Sequence, residues 1–285
     1  MKKRTHLVSA TIAGAMIGLM ATALPMTVTA EENPSAGLNA TDLSMTAAAE
    51  ETPSADLTVA LYSKYVWRGY ELSKGSMVIQ PTMSVDYKGF GFELWGNLDT
   101  DQDAKLYDDD TGSNWNETDM TISYDGSYGM VGYSAGYIYY ALDAEDDTQE
   151  IYASLSLDVI TAPTLTVYRD MAKFPGWYTS LDFSHSFDLM ENLALGLGAK
   201  VSYLYVDDES TLADPTDPNS SYSAFHDGVV SLTLSYTVTE NLVISPEAYY
   251  SFALSSDARD VIEEKSADGN DSDFFYGGVS ASFSF

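Results

Sequence analysis

The sequence predicts an all-β fold: a transmembrane, antiparallel, up-and-down β-barrel of twelve strands with both termini periplasmic. Three observations carry this reading. Beyond Asp56, apolar and small polar residues alternate with period two over segment after segment. Tight connections alternate with connections that are often long. The last alternating segment, FFYGGVSASFSF, ends the chain on Phe285.

Taken in order, residues 1–30 read as a secretory signal peptide. Lys2, Lys3 and Arg4 precede an apolar run from Leu7 to about Leu24, and Val28-Thr29-Ala30 offers small residues before a cut. Residues 31–55 are rich in Ala, Ser, Thr, Glu and Pro and lack aromatics, which predicts a disordered periplasmic leader. Residues 56–285 form the barrel. After the signal no apolar run is long enough for a spanning helix, which leaves strands of about 9–11 residues as the way to cross a membrane.

The predicted strands are 57–68, 76–87, 90–99, 118–125, 128–141, 149–159, 164–171, 176–188, 192–206, 226–238, 241–253 and 273–285. The clearest is NLALGLGAKVSYLY. Leu193, Leu195, Leu197, Ala199, Val201, Tyr203 and Tyr205 share one face, while Asn192, Ala194, Gly196, Gly198, Lys200 and Ser202 share the other. An apolar face opposite a small polar one separates two environments. Lys88-Gly89, Asp125–Ser127, 160–163, Leu189–Glu191 and Thr239-Glu240 are the expected tight turns. The long connections are 100–117, 207–225 and 254–272. With periplasmic termini, every tight turn falls on the periplasmic side. Tyr65, Trp67, Tyr87, Tyr124, Tyr139, Tyr203, Tyr205 and Tyr249 lie near strand ends, where aromatic girdles meet the membrane interfaces. Phe283 and Phe285 close the last strand and read as the signal for barrel assembly.

Composition narrows the partners. The chain has 13 basic and 43 acidic residues, a formal net charge of −30. Removing residues 1–30 takes away basic residues only. Nucleic acid is therefore not a partner, since phosphate binding needs a basic surface. Cations are the natural mobile partners. There is no cysteine, so neither disulfides nor a lipidated N-terminus can form.

The stretch SKYVWRG, residues 63–69, then Ser73, Gln80 and Tyr87, resembles the opening signature of the TorF family of porins. GFGFELWGNLD (89–99) and ETDMTISYDGSYGMVGYSAGYIYYAL (117–142) resemble that family's next segments. Ser63, Tyr65, Arg68, Gly69, Trp95, Glu117, Asp119, Gly136 and Tyr137 match family positions. The resemblance implies an outer-membrane barrel. The long acidic loops and the leader are less typical of it.

Parity assigns the lumen. In strand one, Leu57, Val59, Leu61, Ser63, Tyr65 and Trp67 make the lipid face, so Lys64 and Arg68 point inward. On the lipid face at midplane each would cost about 2–4 kcal/mol. The same rule turns Asp86, Glu93, Asp158, Asp182, Lys200 and Glu247 inward as pore-lining residues. Opposed charges in a wet barrel create a field that can sort solutes, and the acid excess predicts cation preference. Arg169 and His185 fall on the lipid face, which a bulge or a shifted register would explain. The expected function is passive passage of small solutes. The alternative is a non-conducting barrel that acts through its acidic loops.

Other chemistries find little support. Asp99, Asp101 and Asp103 have the 1-3-5 spacing of a calcium loop, but Ala104 stands where the sharp turn needs Gly and the closing bidentate Glu is missing. No dedicated metal site and no cofactor are expected. Divalent ions bridging the loops to lipopolysaccharide phosphates fit the charge better, and a plain solvated acidic surface fits it best. Beyond residue 30 the histidines are His185 and His226. Ser184 and Ser186 flank His185, but strand neighbours point to opposite faces, and no nucleophile motif is present. The expected surroundings are outer-membrane lipid, lipopolysaccharide and the barrel-assembly machinery.

Overall fold

A computed structural model describes residues 52–73, 75–102, 112–143, 146–267 and 269–285. The signal peptide and most of the leader lie outside the described residues. Twelve antiparallel strands close into one barrel. They are β1 (Ser54–Tyr62), β2 (Val78–Tyr87), β3 (Phe90–Asp99), β4 (Asn114–Tyr128), β5 (Val131–Leu142) and β6 (Thr148–Leu157). The second half comprises β7 (Thr164–Asp170), β8 (Gly176–Met190), β9 (Leu193–Val206), β10 (Ser223–Thr239), β11 (Leu242–Ala253) and β12 (Phe274–Ser284). Each strand pairs with its sequence neighbours, and β1 pairs with β12 to close the ring. Within lipid every backbone polar group must find an internal partner, and closure meets that requirement by leaving no edge.

The two faces follow the alternation. Leu57, Val59 and Leu61 of β1, Phe90 and Phe92 of β3, Leu232 of β10 and Val279 of β12 are exposed on the outside. Their neighbours Ala60, Tyr62, Glu93, Thr233 and Ser280 are buried inside. The two histidine and arginine exceptions need no register slip. β7 and β8 pair without irregularity from Thr164 to Gly176, and the β8–β9 shift falls later, between Asp188 and Met190. Arg169 and His185 do face outward, but near the rims. Arg169 is one residue from the loop end of β7, and His185 adjoins Ser184, whose N–H bonds to Thr161 of the 158–163 turn. A charge at the rim can reach water and partners that the midplane denies it.

The expected turns shift in four places, the β6–β7 turn widening from 160–163 to 158–163. The β4–β5 turn sits at Gly129-Met130 instead of Asp125–Ser127, because β4 stays paired through Tyr128 with Val131. Gly126 reads as a turn residue, yet it lies in the strand with the Tyr133 ring over it; an added Cβ would meet that hydroxyl at 2.4 Å. The glycine serves close approach, not chain reversal. The turns after β8 and β10 fall at 191–192 and 240–241. Lys88 and Gly89 have φ of 53° and 82°, the two positive values of a type I′ hairpin turn.

The larger departure is in strand one. The expected strand 57–68 stops at Tyr62. After Ser63, whose N–H still bonds to Gly277, the chain leaves the wall and carries a short hairpin, Val66–Trp67 paired with Tyr70–Glu71. The connection 254–273 adds α1 (Ser256–Lys265), which alternation could not reveal. The Ser255 hydroxyl caps it by accepting from the Ala258 N–H, and Ala258, Val261 and Ile262 form its buried stripe.

Gly278 lies on the closing seam opposite Tyr62. A Cβ there would fall 1.8 Å from the Leu61 carbonyl oxygen, a backbone atom that cannot swing away. Gly278→Ala should therefore destabilise the barrel by about 1–3 kcal/mol, seen as a lower urea midpoint in a gel assay of the heat-modifiable folded band.

Candidate functional site: a charged hairpin in the lumen

The hairpin folds into the barrel. Its tip is Arg68-Gly69, with φ of 47° and 87°. The left-handed region suits Gly, Asn or Asp at these turn positions, and an arginine there costs roughly 1–2 kcal/mol. Gly69 is required for space as well: a Cβ would meet Ile262 of α1 at 2.9 Å and Asp227 of β10 at 3.0 Å. The helix therefore lies over the hairpin like a cover. It is tied there where the Glu71 N–H donates to Ser266 Oγ at 3.0 Å and the Ala267 N–H to the Glu71 carbonyl at 2.8 Å.

Arg68 reaches across the barrel. It leaves β1 and ends on β6, β7 and β8, the opposite wall of the ring. Both terminal nitrogens donate to Glu150 of β6, Nη1 to Oε1 and Nη2 to Oε2, each at 2.7 Å. Tyr140 of β5 donates to the same carboxylate at 2.8 Å. The guanidinium lies 4.3 Å from the Tyr178 ring centre, 5.0 Å from Tyr168 and 4.5 Å from its neighbour Trp67. Burial alone would lower the pKa of Arg68, but Glu150, Tyr140 and Tyr178 outweigh it and hold the group charged. A planar cation between aromatic faces and a carboxylate fork is the geometry that guanidinium favours.

The rest of the hairpin follows. Tyr65 is buried, not part of a girdle. Its hydroxyl donates to Glu117 of β4 at 2.9 Å, and its ring packs on Trp95 of β3 at 5.7 Å. Trp67 packs edge-on against Tyr140. Lys64 pairs with Glu71 across the hairpin's base. Tyr249 is also inside, stacked on Tyr276 and bonded to Glu247. Tyr87, Tyr124, Tyr203 and Tyr205 stay on the outer face.

A second buried pair joins the first. Lys200 Nζ lies 2.8 Å from Asp227 Oδ2 and donates to the Tyr178 hydroxyl at 3.0 Å. Tyr178 in turn donates to Asp227 at 2.8 Å. His226 and Asp227 are consecutive, yet both are fully buried. The β9–β10 register shifts between Val201 and Tyr203, and this bulge turns both inward. Tyr222 hydrogen-bonds His226 Nδ1 at 2.9 Å, and the Tyr70 ring packs 5.2 Å from the imidazole.

The other expected pore residues divide. Glu93, Asp182 and Glu247 face inward and are buried. Glu247 accepts from Tyr62 at 2.7 Å and from Ser280 at 2.6 Å. Asp182 accepts from Ser180 at 2.7 Å, leaving its Oδ1 without a partner, as is Glu93 Oε1. Asp86 faces inward, half-buried, at the short-turn mouth. Asp158 does not: β6 ends at Leu157, and Asp158 is an exposed turn residue whose N–H bonds to Met130. Lys64 and Arg68 are in the lumen, but on the hairpin and not on a strand. Asp99 is fully buried and accepts from the Asp101 N–H at 3.0 Å, an ordinary turn contact. Asp103 lies outside the described residues. No group of three acidic or His side chains is arranged for a metal among the described residues. On the rim, Arg169 forks onto Asp207 at 2.8 and 2.6 Å beside Trp177, and this holds the Asp207 carboxyl below the usual carboxylate range.

Comparison with known proteins adds the fold. No family model matches the chain, and no characterised protein matches it by sequence. Among solved structures, the NanC porin superposes with a TM-score of 0.50 at 10% identity, over 80% of this chain and 98% of that one. The KdgM porin gives 0.48 at 13% identity, over 81% and 99%. The COG4313 outer membrane channel from Pseudomonas putida F1 gives 0.45 at 9% identity, over 82% and 95%. The chain shares its fold with the NanC porin. A closed antiparallel barrel with a continuous apolar exterior is a bacterial outer-membrane protein.

Glu150 is the anchor of this arrangement. Glu150→Gln leaves Arg68 buried without a counter-charge and should weaken hairpin docking by about 3–5 kcal/mol. Amide exchange should then speed up in residues 65–72 while the barrel strands keep their protection.

Proposed function

We propose that the chain is a porin-like channel for passive passage of small solutes, preferring cations, with the hairpin narrowing its loop end. The observation that carries this is the lumen's charge inventory. Among the described residues three cations face inward, Lys64, Arg68 and Lys200, and each is paired with a carboxylate. Glu93 and Glu247 have no cationic partner among the described residues, Asp182 lies near Lys200, which is already paired with Asp227, and Glu117 and Asp119 stand close enough to share a proton, so the lining keeps an acid excess. Such a field draws cations in and repels anions. In this reading the short turns are periplasmic and the chain belongs with the TorF family of porins. Phe283 and Phe285 address it to the assembly machinery, and its acidic loops meet lipopolysaccharide through divalent ions.

The hairpin favours a second reading, in which the barrel does not conduct and works through its loops. One fold hosts channels and enzymes alike, so architecture alone does not choose. Planar-bilayer recording does. Under a KCl gradient the first reading predicts steady conductance with a cation-selective reversal potential, which Glu93→Gln and Glu247→Gln move toward zero. A folded barrel that never conducts supports the second.

A further inference from the structure

Arg68 sits as a ligand would. Its guanidinium is held by Glu150, Tyr168 and Tyr178 of the barrel wall, and Tyr140 steadies the Glu150 carboxylate; the four residues belong to four successive strands. The wall supplies one carboxylate fork and two aromatic faces, while the arginine arrives on a loop from the opposite side. Only the terminal nitrogens are engaged; Nε has no partner. The seat thus contacts the part of the side chain that a small free guanidinium also presents. The turn that delivers it is left-handed at Arg68, where Asn, Asp or Gly is the ordinary choice. The arginine is thus placed for its head group and not for the turn.

We propose that this wall site binds guanidinium cations from solution, and that Arg68 occupies it as an internal ligand. The chemistry selects among cations. Aromatic faces attract a weakly hydrated, flat guanidinium, whereas sodium and potassium need oxygen ligands that two tyrosine rings do not offer. The fork of Glu150 adds two parallel charge-assisted bonds. A free cation that takes the seat must displace the hairpin tip, which links recognition of the solute to opening of the loop end. This rests on the lumen being a route for cations, but the site itself is testable without conduction.

The test uses the refolded chain in detergent micelles, with methylguanidinium as probe and methylurea as its neutral isostere, read by saturation-transfer NMR. Arg68→Ala empties the seat and should bind methylguanidinium at least about tenfold more tightly than the unaltered protein does, while methylurea binds to neither. Adding Glu150→Gln should abolish the gain. Folded Arg68→Ala protein that binds no more methylguanidinium than the unaltered chain, or that binds methylurea equally, overturns the proposal. If Arg68→Ala fails to fold, the unaltered protein decides: millimolar methylguanidinium should speed amide exchange in residues 65–72 and methylurea should not. Equal exchange with both overturns it. A binding site in a barrel that does not conduct would refute the channel and leave the site standing.

Discussion

A guanidinium removed from water must be paired, and the loop end of this barrel is organised around meeting that demand for Arg68. The residue leaves the chain just after β1, while its carboxylate stands on β6, across the lumen. The intervening residues must bridge that gap, so the chain leaves the wall after Ser63 and turns inward. Everything nearby follows from that path. Tyr65 and Trp67 are drawn off the membrane interface to pack on Trp95 and Tyr140. Gly69 must stay bare beneath Ile262, and α1 finds its apolar stripe a surface to cover.

The wall is prepared for this guest. Tyr178 touches Arg68 with its ring and bonds Asp227 and Lys200 with its hydroxyl, so the two buried ion pairs share one side chain. A bulge in β10 against β9 delivers Asp227 and His226 to the same side. Small residues, Thr166, Ser180 and Ser202, line the inner wall between the large aromatics. The lumen is therefore a polar network joined to aromatic clusters, quite unlike the largely apolar exterior. Closure of the backbone and filling of the interior are separate achievements: the first answers to lipid, the second to buried charge.

Much of the wall was legible. Alternation placed all twelve strands, since lipid outside and small polar groups inside impose opposite demands on neighbouring residues. It put Glu93, Asp182, Lys200 and Glu247 inward, as the structure does. Glu150 shares the parity that assigned Asp158 to the lumen, so its direction was readable, although nothing local marked it as the partner of Arg68. That pairing joins residues 82 apart, and long-range contacts leave no periodic trace. SKYVWRG continued the alternation of strand one and so looked like more strand; the tip's left-handed backbone and the carboxylate across the lumen overrode the pattern. In α1, the Ser255 cap and the 258-261-262 spacing were present in sequence, hidden within an acidic stretch that read as loop. The adjacent inward pair His226-Asp227 could not follow from alternation, because a bulge breaks the rule that alternation assumes.

The docked arginine is the central claim, and solution NMR tests it most directly. Beyond residue 30 the chain has three arginines, Arg68, Arg169 and Arg259, so selective arginine labelling of the refolded barrel in nanodiscs gives a readable spectrum. The account predicts one guanidinium with strong upfield ring-current shifts, slowed rotation about its Nε–Cζ bond and cross-peaks to two tyrosine rings. Three freely averaging side chains at ordinary positions would contradict it.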